Sequence, residues 1–331
     1  MKIDVAAARA LFSRLPAALR LASLSPDYVE SDASRSPALQ PAYWRYEEAE
    51  SFWYHGFHLT PLPGVEGFDI QSPYGYGGPL ANSSDPHFLA RAWQAYEETA
   101  RAAGVAAEFI RFHPLADNTR FYGGRIEANR ETVWVNLQAD DLLAEYQPRV
   151  RSAIRKADLA GVEFAWFGSE FITPRFAEFY RCGMAAIGAS PFYSFGDAYF
   201  EALAAWPAVR LGVCSLNGVW LAAGLFLHHG DCVEYHLAAS SGAGRQYNAS
   251  NLLLHRVASS AKAEGYGRLY LGGGTDGSRN NSLYFFKSGY SKCRATFSVG
   301  TFCHDGVRYE ELKRRWPDLH RANAARLLFY R

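Results

Sequence analysis

Three apolar, strand-like runs follow one another between residues 208 and 240, and they limit the possible folds more than any other feature. The short turns "NG" and "HGD" join them, as expected for neighbouring antiparallel strands. The runs are "AVRLGVCSL" (208–216), "GVWLAAGLFLHH" (218–229) and "CVEYHLAAS" (232–240). An apolar-striped helix (249–264) and a further strand, "RLYLGG" (268–273), come next. This order predicts an α/β domain with helices flanking a mixed sheet.

The first half of the chain shows a similar order of elements. Strands lead to a loop, "SPYGYGGP" (72–79), which is followed by a helix over 85–104 and another strand. Asp85 is suited to cap that helix and Gly104 to end it. A hairpin is predicted across "EANRE" (127–131).

The 331 residues suggest two domains. We place them at residues 1–140 and 141–331, with a last helix that can pack back on the first domain. The predicted fold class is α/β, with two tandem domains whose mixed sheets are flanked by helices.

Composition excludes several classes of protein. The chain has 34 basic and 33 acidic residues, so its net charge gives no overall attraction to nucleic acid or anionic lipid. The five cysteines form no CxxC pair, which favours reduced thiols over a disulfide framework or a zinc site. Charged residues interrupt the N-terminal 25 residues, so that stretch is interpreted as an amphipathic helix rather than a signal peptide. Without a long apolar run, the expected location is the cytoplasm, with no transmembrane segment.

The stretch "GAGRQYNASNLLLHR" (242–256) places small and polar residues where a strand leads into a helix. A helix N-terminus offers unpaired amides and a partial positive charge, and small residues let an oxyanion approach them. Arg245 would add donors, and Asn248 tolerates the left-handed conformation that such a bend often needs. An anion-binding loop is therefore predicted, with a merely soluble loop as the alternative.

Several motifs follow one another along the chain: "RSAIRKADLAGVEF" (151–164), "FAEFYRCGMAAIGASPFYSF" (176–195), "GRQYNASNLLLHR" (244–256) with "GYGRLYLGGG" (265–274), and "YFFKSGYSK" (284–292). Their order is typical of the FemABX group, tandem enzymes of the GNAT acyltransferase superfamily related to those that build peptidoglycan bridges. The chain resembles that group over most of its length. The resemblance implies two tandem GNAT-like domains and transfer of an acyl group to an amine.

Residues 245–250 resemble the GNAT pyrophosphate motif Arg/Gln-x-x-Gly-x-Gly/Ala, with Asn248 and Ser250 in place of its glycines. The candidate donor-binding residues are therefore Arg245, Gln246, Asn248, Ala249, Ser250 and Asn251.

The segment "FFKSGY" (285–290) resembles the family motif Phe-Lys-x-x-Phe, which implies that Lys287 lies beside the reacting ester. Attack of an amine on an ester or thioester builds negative charge on the carbonyl oxygen, and a fixed ammonium counters it. Phe285, Phe286 and Tyr290 would exclude water and position the lysine. On composition alone, a surface lysine beside core aromatics is the alternative.

Other residues are candidates for handling the acceptor. If β alternation is regular, Glu234 and His236 share a face, and the imidazole of His236 could take the proton from the attacking amine. A polar pair on the open side of a sheet is the alternative. Candidate substrate-binding residues are aromatic or basic: Tyr74, Tyr76, Arg151, Arg155, Lys156 and Tyr235. Tyr74 and Tyr76 could line an acceptor cleft, and a tight turn that packs on its neighbour is the alternative for them. For the basic residues, which together with Arg149 could hold phosphates of a nucleotide-linked precursor or of a transfer RNA, a solvated helix surface is the alternative.

The run "GGGTDG" (272–277) satisfies Gly-x-Gly-x-x-Gly after a strand and suggests a dinucleotide site. A Rossmann unit requires a long helix next and an acidic residue about twenty positions on. Neither is present, because a short segment follows and no Asp or Glu occurs between Asp276 and Asp305. The dinucleotide interpretation is rejected.

These features predict an N-acyltransferase that moves an aminoacyl or acyl group to a primary amine of a cell-envelope precursor, such as a peptidoglycan stem peptide or an amino sugar. The donor would be aminoacyl-tRNA or acyl-CoA, with no permanently bound cofactor and no metal. The altered glycines leave a second hypothesis open, a non-catalytic binding or scaffold protein that kept the fold. The sequence leaves the oligomeric state open.

Overall fold

The structure is a computed structural model that describes residues 1–278 and 280–331. The chain forms two compact units, Met1–Asn129 with Thr296–Arg331, and Arg130–Ala295. These bounds differ from the predicted 1–140 and 141–331, because the chain returns to the first unit after residue 295. The returning strand pairs with a strand of that unit, from Val299 opposite Arg111 to Cys303 opposite Ala107.

The strands, in chain order, are β1 Lys2–Ile3, β2 Gln40–Glu48, β3 Ser51–Pro61, β4 Phe68–Gln71, β5 Leu80–Ala81, β6 Val105–Arg111, β7 Arg125–Asn136, β8 Glu163–Phe167, β9 Val209–Leu216, β10 Val219–His229, β11 Cys232–Ser240, β12 Arg268–Gly272 and β13 Arg294–Cys303. The α-helices are α1 Val5–Arg14, α2 Pro26–Ala33, α3 Pro86–Ala102, α4 Leu142–Glu145, α5 Pro148–Leu159, α6 Ala177–Ala186, α7 Asp197–Ala205, α8 Gly242–Gln246, α9 Ala249–Ala263, α10 Ser282–Ser288, α11 Gly306–Arg315 and α12 Pro317–Ala322.

The first unit has a mixed sheet in the order β1-β2-β3-β4-β6-β13, and the pairing of β4 with β6 is its parallel step. The helix predicted over 85–104 is α3. The Asp85 carboxylate accepts hydrogen bonds from the amides of His87 and Phe88 at 3.1 Å, and Gly104 follows the helix with φ of 76°. Both predicted end signals are confirmed.

The C-terminal segment completes a small core of the first unit. Tyr309, Leu312, Leu328 and Phe329 pack with residues of β6 and with Leu62. The sequence allows a C-terminal helix to pack back on the first domain, and α11 makes such contacts with β6.

The second unit has a mixed sheet in the order β7-β12-β11-β10-β9-β8, with β11 and β12 parallel. The three predicted strands are β9, β10 and β11, and the "NG" turn is formed by Asn217 and Gly218, with φ of 50° and 77°. Two consecutive positive φ values define the tight turn that suits twisted antiparallel strands.

Helices cover both faces of this second sheet. On one face, α5 and α9 supply most of the buried core, including the predicted stripe Val150, Ile154 and Ala157. On the other face, α6 packs on β11, and the neighbouring aromatics of α6 and α7 are buried. Because helices cover both faces of the sheet, a substrate can reach its strands only where two neighbouring strands separate.

The hairpin predicted across 127–131 is wrong, because β7 runs unbroken from Arg125 to Asn136. The polar run "EANRE" resembles a turn, but side chains of a strand with one solvated face can be polar at several successive positions. Arg125 and Glu127 form an ion pair along this strand, which supports the extended conformation.

Candidate active site

The sheet of the second unit opens partway along β11. The paired residues of β11 and β12 are Cys232 with Arg268, Val233 with Leu269 and Glu234 with Tyr270. Beyond Glu234, β11 continues to Ser240 alongside β10, and β12 continues alongside β7. Within the described residues, the parallel pairing thus ends midway, and the two strands leave a gap at their carboxyl ends.

A β-bulge occurs at the same point. Tyr235 pairs with Phe226 of β10 and Leu237 pairs with Leu225, so His236 is the extra residue. Bulges bend a strand and re-aim its side chains, and they are common beside active sites. The regular alternation assumed for Glu234 and His236 is interrupted here.

The residues at the bulge contact different layers. The Tyr235 ring stacks on Phe226 and packs against the core that α5 and α9 cover. The Nε2 atom of His236 lies 2.7 Å from the hydroxyl oxygen of Tyr199 in α7. The bulge therefore directs Tyr235 to the face of the sheet that α5 and α9 cover, and His236 to α7 on the other face.

Lys287 lies on the short helix α10, and its ammonium reaches both edges of the gap. Its Nζ donates a hydrogen bond of 2.9 Å to the carbonyl of Gly273, directly after β12, and lies 5.7 Å from the ring centroid of Tyr235 on β11. The side chain is only 8% exposed. Burial lowers the pKa of Lys287 to about 7, because the charged form loses its hydration. The side chain can therefore gain or lose a proton near neutral pH.

The glycine run 272–274 has a structural function beside this lysine. Gly272 has φ of 78°, and a Cβ on Gly274 would lie 2.5 Å from Oδ1 of Asn281. Asn281 caps α10 by accepting hydrogen bonds from the amides of Leu283 and Tyr284, and it donates to the Thr275 hydroxyl. The glycines let the backbone approach the start of α10 closely, so the chain needs no dinucleotide to explain them.

The predicted donor-binding loop is more ordered than the sequence suggested. Its first part is the one-turn helix α8, capped by Ser241, whose hydroxyl accepts from the Gly244 amide at 3.0 Å. Asn248 has φ of 55° and turns the chain from α8 into α9. The left-handed conformation anticipated for Asn248 is present, while α8 was missed because five residues give too short a periodic pattern.

Of the predicted donor-binding residues, Arg245 and Gln246 are exposed and Ser250 is half-buried at the start of α9. The guanidinium of Arg245 donates to the carbonyl of Ser240 at 3.2 Å. Ala249 is fully buried, so it offers its backbone but not its side chain to a ligand. Their function in donor binding stays a prediction.

Tyr290 joins the start of α9 to the lysine segment. Its hydroxyl accepts from Nδ2 of Asn251 at 3.0 Å and donates to the Asn251 carbonyl at 3.3 Å, and its ring contacts Phe286. The beginning of α9 and the helix that carries Lys287 are therefore direct neighbours. A donor that binds at the start of α9 and reacts beside Lys287 requires this arrangement.

One predicted function within the lysine motif is wrong. Phe285 is 58% exposed and does not exclude water from Lys287, because two residues along a helix project to opposite sides. Its ring stacks on the guanidinium of Arg149, whose carbon lies 3.8 Å from the ring centroid. Phe286 and Tyr290 are the aromatics that pack against the core beside the lysine.

Arg149 and Gln147 hold the end of α10, which sequence reasoning missed. Arg149 donates to the carbonyl of Phe285, and the Gln147 amide donates to the carbonyl of Gly289 at 2.8 Å. A Cβ on Gly289 would lie 2.5 Å from Val150, so only glycine permits this approach. The glycine of "FKSGY" is the signal that could have pointed to a close neighbour.

The basic side chains predicted on α5 do not converge on the gap. Arg155 and Lys156 are exposed, and Arg151 donates to the carbonyl of Tyr146 just before the helix. A solvated surface and a phosphate-binding surface both fit these positions. Tyr74 and Tyr76 belong to the first unit.

Gly244 gives a direct test of how the donor loop is built. A Cβ at this position would lie 1.9 Å from the Leu221 carbonyl oxygen and 2.6 Å from the Ser240 hydroxyl, while a Cβ on Gly242 would meet only the Arg245 guanidinium, at an ordinary contact distance of 3.9 Å. We expect Gly244→Ala to lower the free energy of unfolding by about 3 kcal/mol, as overpacking does. Gly242→Ala is the matched control and should change it by less than about 0.5 kcal/mol. Urea denaturation measures both, and equal effects would contradict this packing.

The comparisons with known proteins agree with this geometry. Residues 142–288 match the family model of the acetyltransferase (GNAT) domain. The gap, the bulge and the lysine all belong to the unit that contains this match. The second unit is an acyltransferase domain of the GNAT type.

Solved structures extend the likeness to the whole chain at the level of fold. The structure of FemX is similar with a TM-score of 0.72 and 14% identity, and the match covers 94% of this chain and 98% of FemX. The C-terminal domain of a candidate lysylphosphatidylglycerol synthetase from Agrobacterium fabrum has a TM-score of 0.59 and 14% identity, covering 94% of this chain and 96% of that one. L-PGS from Bacillus licheniformis has a TM-score of 0.54 and 13% identity, covering 88% and 97%. The comparison with curated proteins gave no match.

The predicted α/β fold class, with mixed sheets and flanking helices in two units, is confirmed, and the match to the GNAT domain lies in the second unit. Across residues 1–278 and 280–331, no helix has the length and apolar character to cross a membrane. In the same residues, no three His, Cys, Asp or Glu side chains are grouped as a metal site would need.

Proposed function

We propose that the protein is a cytoplasmic N-acyltransferase that transfers an aminoacyl or acyl group to a primary amine of a cell-envelope precursor. The observation that carries this proposal is the position of Lys287, a buried lysine whose Nζ reaches Gly273 after β12 and the Tyr235 ring on β11. An ammonium at the opening of a GNAT-type sheet can stabilise the charge that acyl transfer builds.

The reaction needs one amine, one activated acyl group and two proton transfers. The amine nitrogen forms a bond to the acyl carbon, the carbonyl oxygen takes up negative charge, and Lys287 stabilises that charge. When the intermediate collapses, the bond to the ribose oxygen or to sulfur breaks, and the leaving group takes a proton. His236, fixed by Tyr199 at 2.7 Å, is the residue assigned to take the proton from the amine.

The lowered pKa of Lys287 fits this function. A lysine without a carboxylate partner is only partly protonated near pH 7, because burial disfavours its charge. A bound anionic donor or the developing oxyanion would reverse that preference. Its charge would then be strongest when the transition state forms, which is the differential stabilisation that catalysis needs.

The acceptor class rests on the fold neighbours and the motif order. One neighbour is named a lysylphosphatidylglycerol synthetase, a name that joins an amino acid to an envelope lipid.

For the donor, the retained Arg245 is compatible with the pyrophosphate of CoA. Asn248 and Ser250 in place of glycines favour an aminoacyl-tRNA.

The test is to measure the thermal stability of the whole protein with three separate probes: acetyl-CoA, a non-hydrolysable aminoacyl-tRNA mimic and a UDP-linked muropeptide. We expect the muropeptide and one of the two donors to raise the melting temperature, since ligands that bind only the folded state stabilise it. Mass spectrometry of a mixture of the stabilising donor and acceptor should then detect the acylated amine. Stabilisation by none of the three would contradict the proposal and favour a scaffold protein.

A further inference from the structure

The first unit contains an arginine, Arg111, whose charge no carboxylate among the described residues pairs with directly. Arg111, at the end of β6, is half-buried, and its guanidinium carbon lies 5.4 Å from the ring centroid of Phe109. Among the described residues, no hydrogen bond or ion pair of its side chain is found. An arginine keeps its charge under physiological conditions, so the protein holds a partly desolvated cation without a counter-ion.

Asp32, the carboxylate that acts electrostatically on Arg111, already accepts hydrogen bonds from other groups. Asp32 is fully buried and accepts two hydrogen bonds from Arg35, at 2.6 and 2.8 Å, and a third from the Tyr74 amide at 2.9 Å. Burial is the main cause that lowers the pKa of Arg111, the charge of Arg35 lowers it further, and the charge of Asp32 raises it. Two guanidinium groups therefore face one carboxylate, and the excess positive charge belongs to Arg111.

The loop "SPYGYGGP" is fixed directly around this arginine. The Arg111 amide donates to the Ser72 hydroxyl at 2.7 Å, and its carbonyl accepts from the Gly77 amide at 2.7 Å. The loop is thus attached on both sides of the residues that carry Tyr74 and Tyr76. A Cβ on Gly75, between the two tyrosines, would meet no atom within 4 Å, so space remains above the loop.

Contacts with neighbouring side chains of the first unit hold Tyr74 and Tyr76 in place. The Tyr74 carbonyl accepts from the Tyr28 hydroxyl at 2.6 Å, and the guanidinium of Arg35 lies 5.8 Å from the Tyr74 ring centroid. The Tyr76 ring contacts His113 and Phe297 edge-on, with centroid separations of 4.8 and 5.8 Å. A rigid aromatic loop beside an unneutralised cation is an arrangement that suits a ligand with an oxyanion and an apolar part.

We infer that Arg111 and the Tyr74–Tyr76 loop form an oxyanion-binding site in the first unit, for a phosphate or carboxylate of the acceptor. The guanidinium fork matches either group with two parallel hydrogen bonds. That the anion belongs to the acceptor rests on the proposed function. The binding site itself rests only on the contacts within the first unit.

The experiment titrates the whole protein separately with inorganic pyrophosphate and with succinate at constant ionic strength, using sodium chloride as the reference salt. The wild-type melting temperature should rise with one anion or both, and the anion that acts distinguishes a phosphate from a carboxylate. For Arg111→Gln, at least ten times more anion should be needed to raise the melting temperature by the same amount. Arg111→Lys, which keeps the charge but not the fork, should retain an intermediate response.

Arg120→Gln is the matched control. Arg120 also stacks on a neighbouring phenylalanine, Phe121, at 4.7 Å, but it has Asp117 as a partner at 4.0 Å. This variant should respond to the anions as the wild type does. An equal response in Arg111→Gln and wild type, or no response of the wild type to either anion, would overturn the inference.

A second measurement separates a ligand site from a structural arginine. Arg111→Met should keep or raise the melting temperature without anions, because removing an unpaired buried charge relieves desolvation. A lower melting temperature together with an intact anion response would assign Arg111 to structure. Lys287→Ala should keep the wild-type anion response. Absence of transfer by the wild-type protein, together with an intact anion response, would count against the proposed function and not against this site.

Discussion

Replacing Lys287 by alanine should lower kcat by a factor of about 10² to 10³ and leave the KM for the acceptor within about twofold. Loss of one group that stabilises a developing oxyanion has an effect of this size. The proposed function assigns the lysine to the charge that develops during transfer and not to ground-state binding, so acceptor binding should change little. The measurement is steady-state kinetics with the donor identified by thermal stability.

Lys292→Ala is the matched control for that experiment. Lys292 belongs to the same "FFKSGYSK" segment and is exposed, so its removal should leave kcat unchanged. Equal kcat values for Lys287→Ala and the wild type would remove Lys287 from the mechanism. A rise in KM without a fall in kcat would assign it to ground-state binding instead.

Lys287 should also make the stability of the protein depend strongly on pH. Its pKa is about 7 in the folded protein, against 10.5 as the ordinary value, so between these values the unfolded chain binds the extra proton. Stability rises with pH wherever the unfolded state binds more protons. From pH 7 to pH 9.5 this one group should add about 3 kcal/mol to the free energy of unfolding.

Lys287→Met isolates that contribution. The variant fills a similar volume without a charge, so it should be more stable than the wild type at pH 6, and its advantage should shrink by about 3 kcal/mol as the pH rises to 9.5. Urea denaturation of both proteins across this range measures the difference, in which the other titrating groups cancel. A difference that stays constant with pH would show that the lysine keeps an ordinary pKa.

Much of the second unit could be predicted from the sequence because its signals are local. β9, β10 and β11 follow apolar runs bounded by turn residues, and α5 follows the spacing of Val150, Ile154 and Ala157. The left-handed Asn248 is likewise a local preference of one residue type. Such features need no knowledge of what packs against them.

The parts that could not be predicted depend on partners distant in the chain. The bulge at His236 is defined by its register with β10, which no pattern in β11 reveals. The burial of Lys287 depends on Gly273 and Tyr235, and the exposure of Phe285 depends on Arg149. The excess charge on Arg111 is visible only once Asp32 is seen to be occupied by Arg35. Sequence patterns predicted the elements, whereas these contacts define the chemistry.

The return of the chain to the first unit has a consequence for synthesis on the ribosome. β13 pairs with β6 from Val299 to Cys303, so the sheet of the first unit lacks this strand until residue 303 has emerged. Arg130–Ala295 can collect all its strands earlier. We therefore expect the second unit to reach its native state before the first unit does. Until β13 has been synthesised, the edge of β6 stays unpaired and exposed to aggregation with other chains.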